Sequence, residues 1–233
     1  EVLDEHPVSI QVNGQWQTFP NARAAEEAAY GEYKDNLRRT AENFRITDDH
    51  LGEGGPKAKF QANIAAIKLL KYLEETTEQA TPEQQKILSR YVGWGGLADA
   101  FDPEKPAWAA EYTQLKELLT PEEYTAARGS TLNAHYTSPT VIRAIYETVG
   151  RMGFETGNIL EPSMGVGNFF GMLPEEMRNS RLYGVELDPI SGRIAKQLYP
   201  KADITVGGFE TTDRRDFFDL AIGNVPFGQY QVN

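Results

Sequence analysis

Polar and apolar residues alternate near the start of the chain, and farther on the apolar residues take a helical spacing. The alternation from Val8 to Phe19 around Asn13-Gly14 predicts a β-hairpin, because Asn-Gly readily adopts the positive φ angles of a tight turn. Residues 21–44 are rich in Ala, Glu and Arg and predict a helix. Residues 57–75 predict an amphipathic helix from one apolar stripe: Phe60, Ile64, Ile67, Leu70 and Leu73.

Two further helices share one start signal. Thr81-Pro82 and Thr120-Pro121 each place a capping Thr before a Pro that fits the first helical turn. We therefore expect a hairpin followed by a mainly helical region over residues 1–130. Within it, Gly93-Trp94-Gly95-Gly96 has two interpretations: a tight loop with a buried Trp that joins the helices to the second half of the chain, or a lid or base-contacting wedge near a ligand.

After residue 130 short apolar strands alternate with helices. Helices are predicted at 138–152, at 168–178 with a break at Pro174, and at 189–198, and strands at 158–160, 182–187, 204–206 and 219–222. This alternation predicts an α/β fold with a Rossmann-like parallel sheet over residues 131–233, ending after its fourth strand.

The composition excludes or disfavours several kinds of site and partner. The 233 residues contain no cysteine, which excludes disulfides and thiolate metal sites, and three scattered histidines suggest no metal site. No apolar run approaches the roughly 18 residues of a membrane span, so we expect a cytoplasmic protein with no membrane partner. The net charge of −11 opposes strong binding to nucleic acid by this chain alone. Without an initiator Met, the chain reads as a part excised from a longer protein.

A glycine loop follows the first strand of the predicted sheet. In Glu161-Pro162-Ser163-Met164-Gly165-Val166-Gly167, Gly165 and Gly167 allow a sharp turn and close approach of backbone to a ligand. A dinucleotide site favours a third glycine where this chain has Phe170. Glu161 would repel a pyrophosphate but suits a cationic ligand. A plain strand-to-helix turn remains the alternative.

Glu186 ends the next predicted strand, about 20 residues after the glycine loop. At this spacing a carboxylate accepts hydrogen bonds from both ribose hydroxyls of a nucleotide, which places Leu187 beside the base. A solvated acid at a strand end is the alternative. Asp188 is predicted to cap the helix that begins at Pro189.

Asn224-Val225-Pro226-Phe227 follows the last predicted strand. The Asn224 side chain and the Val225 carbonyl can accept hydrogen bonds from a planar amino group, Pro226 stiffens the turn, and Phe227 can stack on the ring. An ordinary turn is the alternative interpretation.

These motifs resemble those of class I S-adenosylmethionine (SAM)-dependent methyltransferases, above all the DNA adenine-N6 methylases. The resemblance implies SAM as cofactor and a family motif Asn/Asp-Pro-Pro-Tyr/Phe at residues 224–227, with Val225 in place of the first proline. It also implies a flipped target base. Direct methyl transfer to an amine needs no Cys nucleophile. The cofactor contacts it implies are Tyr136, Thr137, Glu161, Pro162, Ser163, Gly165, Gly167, Glu186, Leu187 and Phe209.

Three of these contacts, Tyr136, Thr137 and Phe209, rest on the resemblance alone. The segment 135–139 matches an upstream segment that touches the methionine moiety, which brings in Tyr136 and Thr137, although Ser138-Pro139 can equally be a plain helix start. Where the family has Asp-Phe, this chain has Gly208-Phe209; Phe209 can stack on adenine, but the Asp that grips the adenine amine is missing.

A nearer resemblance, from Gly52 onward, is to the very large methylase–helicase proteins of bacterial conjugative elements and phages. It rests on residues 54–60, 91–97 and 222–228 together with the glycine loop. It implies a parent protein that contacts DNA through other parts, and an isolated chain that is inactive. Two alternatives stay open, a non-catalytic scaffold with a SAM fold and an amino-methyltransferase of RNA or of protein glutamine. The target sequence and the oligomeric state are also open.

Overall fold

The computed structural model describes residues 6–132 and 137–225. The predicted hairpin is confirmed: β1 (Val8–Val12) pairs antiparallel with β2 (Gln15–Phe19). Asn13 and Gly14 form the turn with φ angles of 51° and 74°, the conformation for which the Asn-Gly pair was singled out.

Helices dominate the segment after the hairpin. The predicted Thr caps are confirmed, because Thr81 and Thr120 each accept a hydrogen bond from the backbone three residues on, within full capping boxes. The helices are α1 (Ala22–Thr40), α2 (Pro56–Thr76), α3 (Pro82–Leu88), α4 (Ala109–Leu118) and α5 (Pro121–Ser130). Short 3₁₀ turns at Ala98–Phe101 and Pro106–Trp108 connect α3 to α4.

The rest of the described chain is an α/β layer. Its strands are β3 (Asn158–Glu161), β4 (Arg181–Glu186), β5 (Asp203–Val206) and β6 (Leu220–Ala221), and its helices are α6 (Pro139–Arg151), α7 (Asn168–Gly171) and α8 (Pro189–Leu198). All strand pairs are parallel, in the order β5-β4-β3-β6. The predicted fold class, a Rossmann-like parallel sheet preceded by a helical region and a hairpin, is confirmed.

Two predicted helices are shorter than expected. The helix predicted over residues 21–44 ends at Thr40. Instead of 168–178, α7 ends at Gly171, and a separate 3₁₀ turn covers Glu175–Met177. Pro174 lies between the two segments, where it has no N–H to continue a helix and restricts the residue before it.

The hydrophobic core is continuous across residue 130. Fully buried side chains from the helical segment, such as Phe60 and Trp94, belong to the same cluster as Phe169 and Ile194 of the α/β layer. Trp94 packs edge-on against Phe60, Tyr91 and Phe101, as the interpretation of a buried Trp in a tight loop predicts. The division into 1–130 and 131–233 stays a prediction.

A buried carboxylate links the two parts of the chain. Glu123 of α5 is 6% exposed and receives ion pairs from Lys71 of α2 and Arg193 of α8. Its pKa is held low in spite of burial, because Lys71, Arg193 and the Thr120 backbone N–H all stabilise the ionised form. Within residues 6–132 and 137–225, no helix combines the length and apolarity that a membrane crossing needs.

Candidate functional site

A cavity of about 920 Å³ opens at the carboxyl ends of the parallel strands. Open α/β sheets bind ligands at this edge, and the volume lies in the range of small-molecule sites. Ten of the residues predicted from the sequence line it: Thr137, Glu161, Pro162, Ser163, Gly165, Glu186, Leu187, Phe209, Asn224 and Val225. The strand order explains this convergence, because β3, β4 and β6 end side by side.

Glu186 organises the glycine loop at one end of the cavity. Its Oε2 accepts a hydrogen bond from the Gly165 N–H at 2.7 Å, and its Oε1 accepts one from the Asp188 N–H at 2.8 Å. Burial raises the pKa of this carboxyl, while the two backbone donors oppose the rise. Each carboxylate oxygen keeps a further lone pair, so Glu186 can still accept from ligand hydroxyls.

Glu161 places a buried carboxyl in the cavity wall. It is 2% exposed, and its Oε2 has no hydrogen-bond partner among the described residues. Burial, and secondarily the charge of Glu186, raises the pKa of Glu161 well above its ordinary value. A cationic ligand group beside Oε2 would supply the missing partner and restore the ionised form.

Asn224 follows β6, the strand next to β3. Its Nδ2 donates to Thr137 Oγ1 at 3.3 Å, which leaves the side-chain Oδ1 available as an acceptor. Asn224 and Val225 are exposed to the cavity. Thr137 therefore contacts the predicted catalytic residue as well as lining the predicted cofactor site.

Leu187 and Phe209 present apolar surface to the cavity, with 73% and 52% of their surface exposed. A flat ring bound between them would cover this surface. Asp188 caps α8 as predicted, because its Oδ2 accepts from the Ser191 N–H at 2.9 Å.

Gly167 does not line the cavity, although the sequence placed it with the cofactor contacts. It precedes α7 with a φ of 83°, and a Cβ there would lie 2.5 Å from Tyr199 Cε2. The glycine is needed for this conformation and for close packing against Tyr199. Tyr136, Pro226 and Phe227 lie outside the described residues.

One side of the cavity was not predicted from the sequence. Val92 and Gly93 after α3, together with Ala126, Gly129 and Ser130 of α5, form a surface that we call the helical wall. Gly93 belongs to the Gly93-Trp94-Gly95-Gly96 motif, whose second interpretation placed it near a ligand. The buried Trp of the first interpretation is confirmed, since Trp94 is fully buried, and Gly93 lines the cavity. A role as a lid or base-contacting wedge stays a prediction.

A buried amide fixes part of the helical wall. Asn63 of α2 is fully buried, donates from Nδ2 to the Gly93 carbonyl at 2.6 Å, and accepts from the Val92 N–H at 2.9 Å. Asn63 lies in the apolar stripe of α2, where its spacing carried no signal of this role.

Comparison with known proteins adds independent evidence. No protein-family model matches the chain. Over 180 residues, 76% of this chain, it is 28% identical to the Defense against restriction protein B of Escherichia phage P1. Over 83 residues, 36% of this chain, it is 42% identical to the type II methyltransferase M.CvrRI of Paramecium bursaria Chlorella virus XZ-6E. The chain is thus similar to a type II methyltransferase over 36% of its length. The resemblance to methyltransferases that the motifs indicated is confirmed to this extent, and the adenine-N6 specificity stays a prediction.

The matched segments span 6% of the phage protein and 21% of the viral methyltransferase. The chain thus corresponds to a small part of each relative. A crystal structure of a Listeria monocytogenes protein, assigned to the class I S-adenosylmethionine-dependent methyltransferases, shares 16% identity with a TM-score of 0.37, covering 75% of this chain and 60% of that one.

Proposed function

We propose that the chain binds SAM in the cavity at the strand ends and forms the cofactor and catalytic part of a DNA adenine-N6 methyltransferase. One observation carries the proposal. Glu186, suited to a ribose, and Asn224, suited to a target amine, open into one cavity. They follow β4 and β6, which lie on either side of β3, so roughly 10 Å separates the two strand ends.

The residues of the cavity fit this cofactor. Glu186 can accept from the ribose hydroxyls, while Leu187 and Phe209 cover the adenine ring. Glu161 offers its unpartnered Oε2 to the cationic methionyl end. Gly165 has a φ of 56°, and a Cβ there would meet nothing within 4 Å, so its backbone stands open to the ligand.

When bound, SAM supplies an activated methyl group on a sulfonium. The task of the chain is then to present a lone pair of the target amine to that methyl. Asn224 Oδ1 and the Val225 carbonyl accept hydrogen bonds from the two amine hydrogens and favour a pyramidal nitrogen. Thr137 holds the Asn224 amide in this orientation. Catalysis rests on positioning and electrostatics, and no enzyme nucleophile takes part.

DNA adenine is the proposed target, reached through a longer polypeptide. Support comes from the Asn224 motif and from the type II methyltransferase among the relatives. The net charge of −11 places most phosphate contacts outside these residues.

Calorimetry with S-adenosylhomocysteine tests the cofactor site. We expect a saturable heat with one site per chain; no heat from folded protein at millimolar ligand would overturn the proposal. Incubation of the native polypeptide that carries these residues with tritiated SAM and duplex DNA, RNA or protein then tests the target. Label in DNA adenine supports the proposal. Label in RNA or in protein glutamine would assign the methyl transfer to that other class of substrate.

The acidic charge and Val225 favour a second candidate, a SAM-binding module without catalysis. It predicts binding of S-adenosylhomocysteine with no label transferred to any of the three substrates, and no effect of Asn224→Ala on the function of the native polypeptide.

A further inference from the structure

The helical wall encloses the cavity from outside the sheet. Ala126, Gly129 and Ser130 stand three and four positions apart on α5, so they share one helix face. Their side chains are small, which allows a ligand to approach the helix backbone closely. A second feature of the same cavity points to a ligand: the Glu161 carboxyl is buried with one oxygen unpartnered among the described residues.

The helical wall lies at the end of the cavity where β4 terminates. α5 packs beside α8, which starts directly after β4, and the Glu123–Arg193 ion pair joins these two helices. Tyr91, next to Val92, lines the same cavity as Glu186 and Asp188, the last residue of β4 and the N-cap of α8. Asn224 is two strands farther along the sheet.

We propose that the helical wall is a second binding surface for the nucleoside half of the cofactor and limits the size of the ligand accepted there. This inference rests on the proposed function. Val92 and Gly93 supply one part of the surface, held by Asn63, and α5 supplies the other. The cofactor site is then composite, built from the parallel sheet on one side and from the preceding helices on the other.

Gly129 offers a clean test. A Cβ at this position meets nothing within 4 Å, and its φ is not positive, so a larger side chain enters open space without backbone strain. We expect Gly129→Leu to fold with an unchanged or higher melting temperature, because Leu favours a helix over Gly. Gly31→Leu is the matched control: Gly31 lies in α1, also with open space at Cβ, and does not line the cavity.

Two ligands show which half of the cofactor the helical wall contacts. S-adenosylhomocysteine carries both halves of the cofactor, whereas 5′-methylthioadenosine carries the nucleoside without the amino acid. In calorimetry we expect Gly129→Leu to weaken both by roughly tenfold or more, and Gly31→Leu to leave both within about twofold of wild type.

The outcomes separate the two proposals. If the wild-type chain binds S-adenosylhomocysteine and Gly129→Leu binds it equally well, the role of the helical wall is overturned and the proposed function is not. Loss for S-adenosylhomocysteine but not for 5′-methylthioadenosine overturns its assignment to the nucleoside. A lower melting temperature for Gly129→Leu shows that residue 129 packs against other parts of the chain, which also overturns the role of the helical wall. If the wild-type chain binds neither ligand, the proposed function and this inference are overturned together.

Discussion

Replacing Glu186 by Gln should weaken cofactor binding strongly while the chain stays folded. The Glu186 carboxylate accepts from two backbone donors, the N–H groups of Gly165 and Asp188, at 2.7 and 2.8 Å. A Gln amide has one acceptor oxygen, so in either orientation its NH₂ group faces one of these donors. The glycine loop must then shift, and the ribose loses a charged acceptor.

The size of this effect can be worked out from the bonds involved. A hydrogen bond to a charged group contributes about 1.5–3 kcal/mol, which corresponds to a loss of roughly 10- to 150-fold in affinity. Glu210→Gln is the control, since Glu210 also lines the cavity but is exposed, and surface substitutions change free energies by only about 0.5 kcal/mol.

The assay is calorimetry with S-adenosylhomocysteine on the wild-type chain and both variants, with circular dichroism as the check on folding. Affinity of folded Glu186→Gln within about twofold of wild type would refute the reasoning, because Glu186 would then only support the loop.

Three further predictions concern other parts of the site. The raised pKa of Glu161 means that the free energy of unfolding of the empty protein falls as pH rises above about 4.5 toward that raised value. In urea unfolding, this free energy should fall less between pH 5 and pH 8 for Glu161→Gln than for wild type. An equal fall in the two proteins would count against this prediction. Asn224→Ala in the native polypeptide should abolish transfer of tritiated methyl to adenine and leave the Kd for S-adenosylhomocysteine unchanged, whereas persisting transfer would make residues 224–227 a plain turn. Gly167→Ala should lower the free energy of unfolding by roughly 1–3 kcal/mol, because of its φ of 83° and the contact with Tyr199; Gly31→Ala, the control, should not lower it.

Local signals in the sequence predicted most of the fold. The Asn13-Gly14 turn and the Thr81 and Thr120 caps depend on a few neighbouring residues, so their patterns were sufficient. The strands of the sheet were also recognisable, since each is short, apolar and followed by a loop with polar or glycine residues. The helix predicted over 168–178, with a break at Pro174, ends earlier, at Gly171, since a weak helical pattern does not fix where a helix stops.

The candidate site was predictable where its residues end strands. Glu161, Glu186 and Asn224 converge because parallel strands share one carboxyl edge, a consequence of topology alone. The helical wall was not predictable, since Ala126 and Gly129 are chemically plain and reach the cavity only through the tertiary packing of α5. Asn63 escaped notice for a related reason: its partners lie about 30 residues away in the chain.

The Lys71–Glu123–Arg193 network has a consequence for protein engineering. A chimera that transplants only the sheet and its helices would carry Arg193 into a new host without its carboxylate, and would leave the helices behind with Glu123 short of one cation. The smallest segment that can be exchanged as a cassette therefore starts before α2, because the backbone N–H groups of Phe44 and Ile46 also donate to Leu198 and Gly171 of the α/β layer. Recombination points inside residues 44–198 should therefore yield insoluble hybrids.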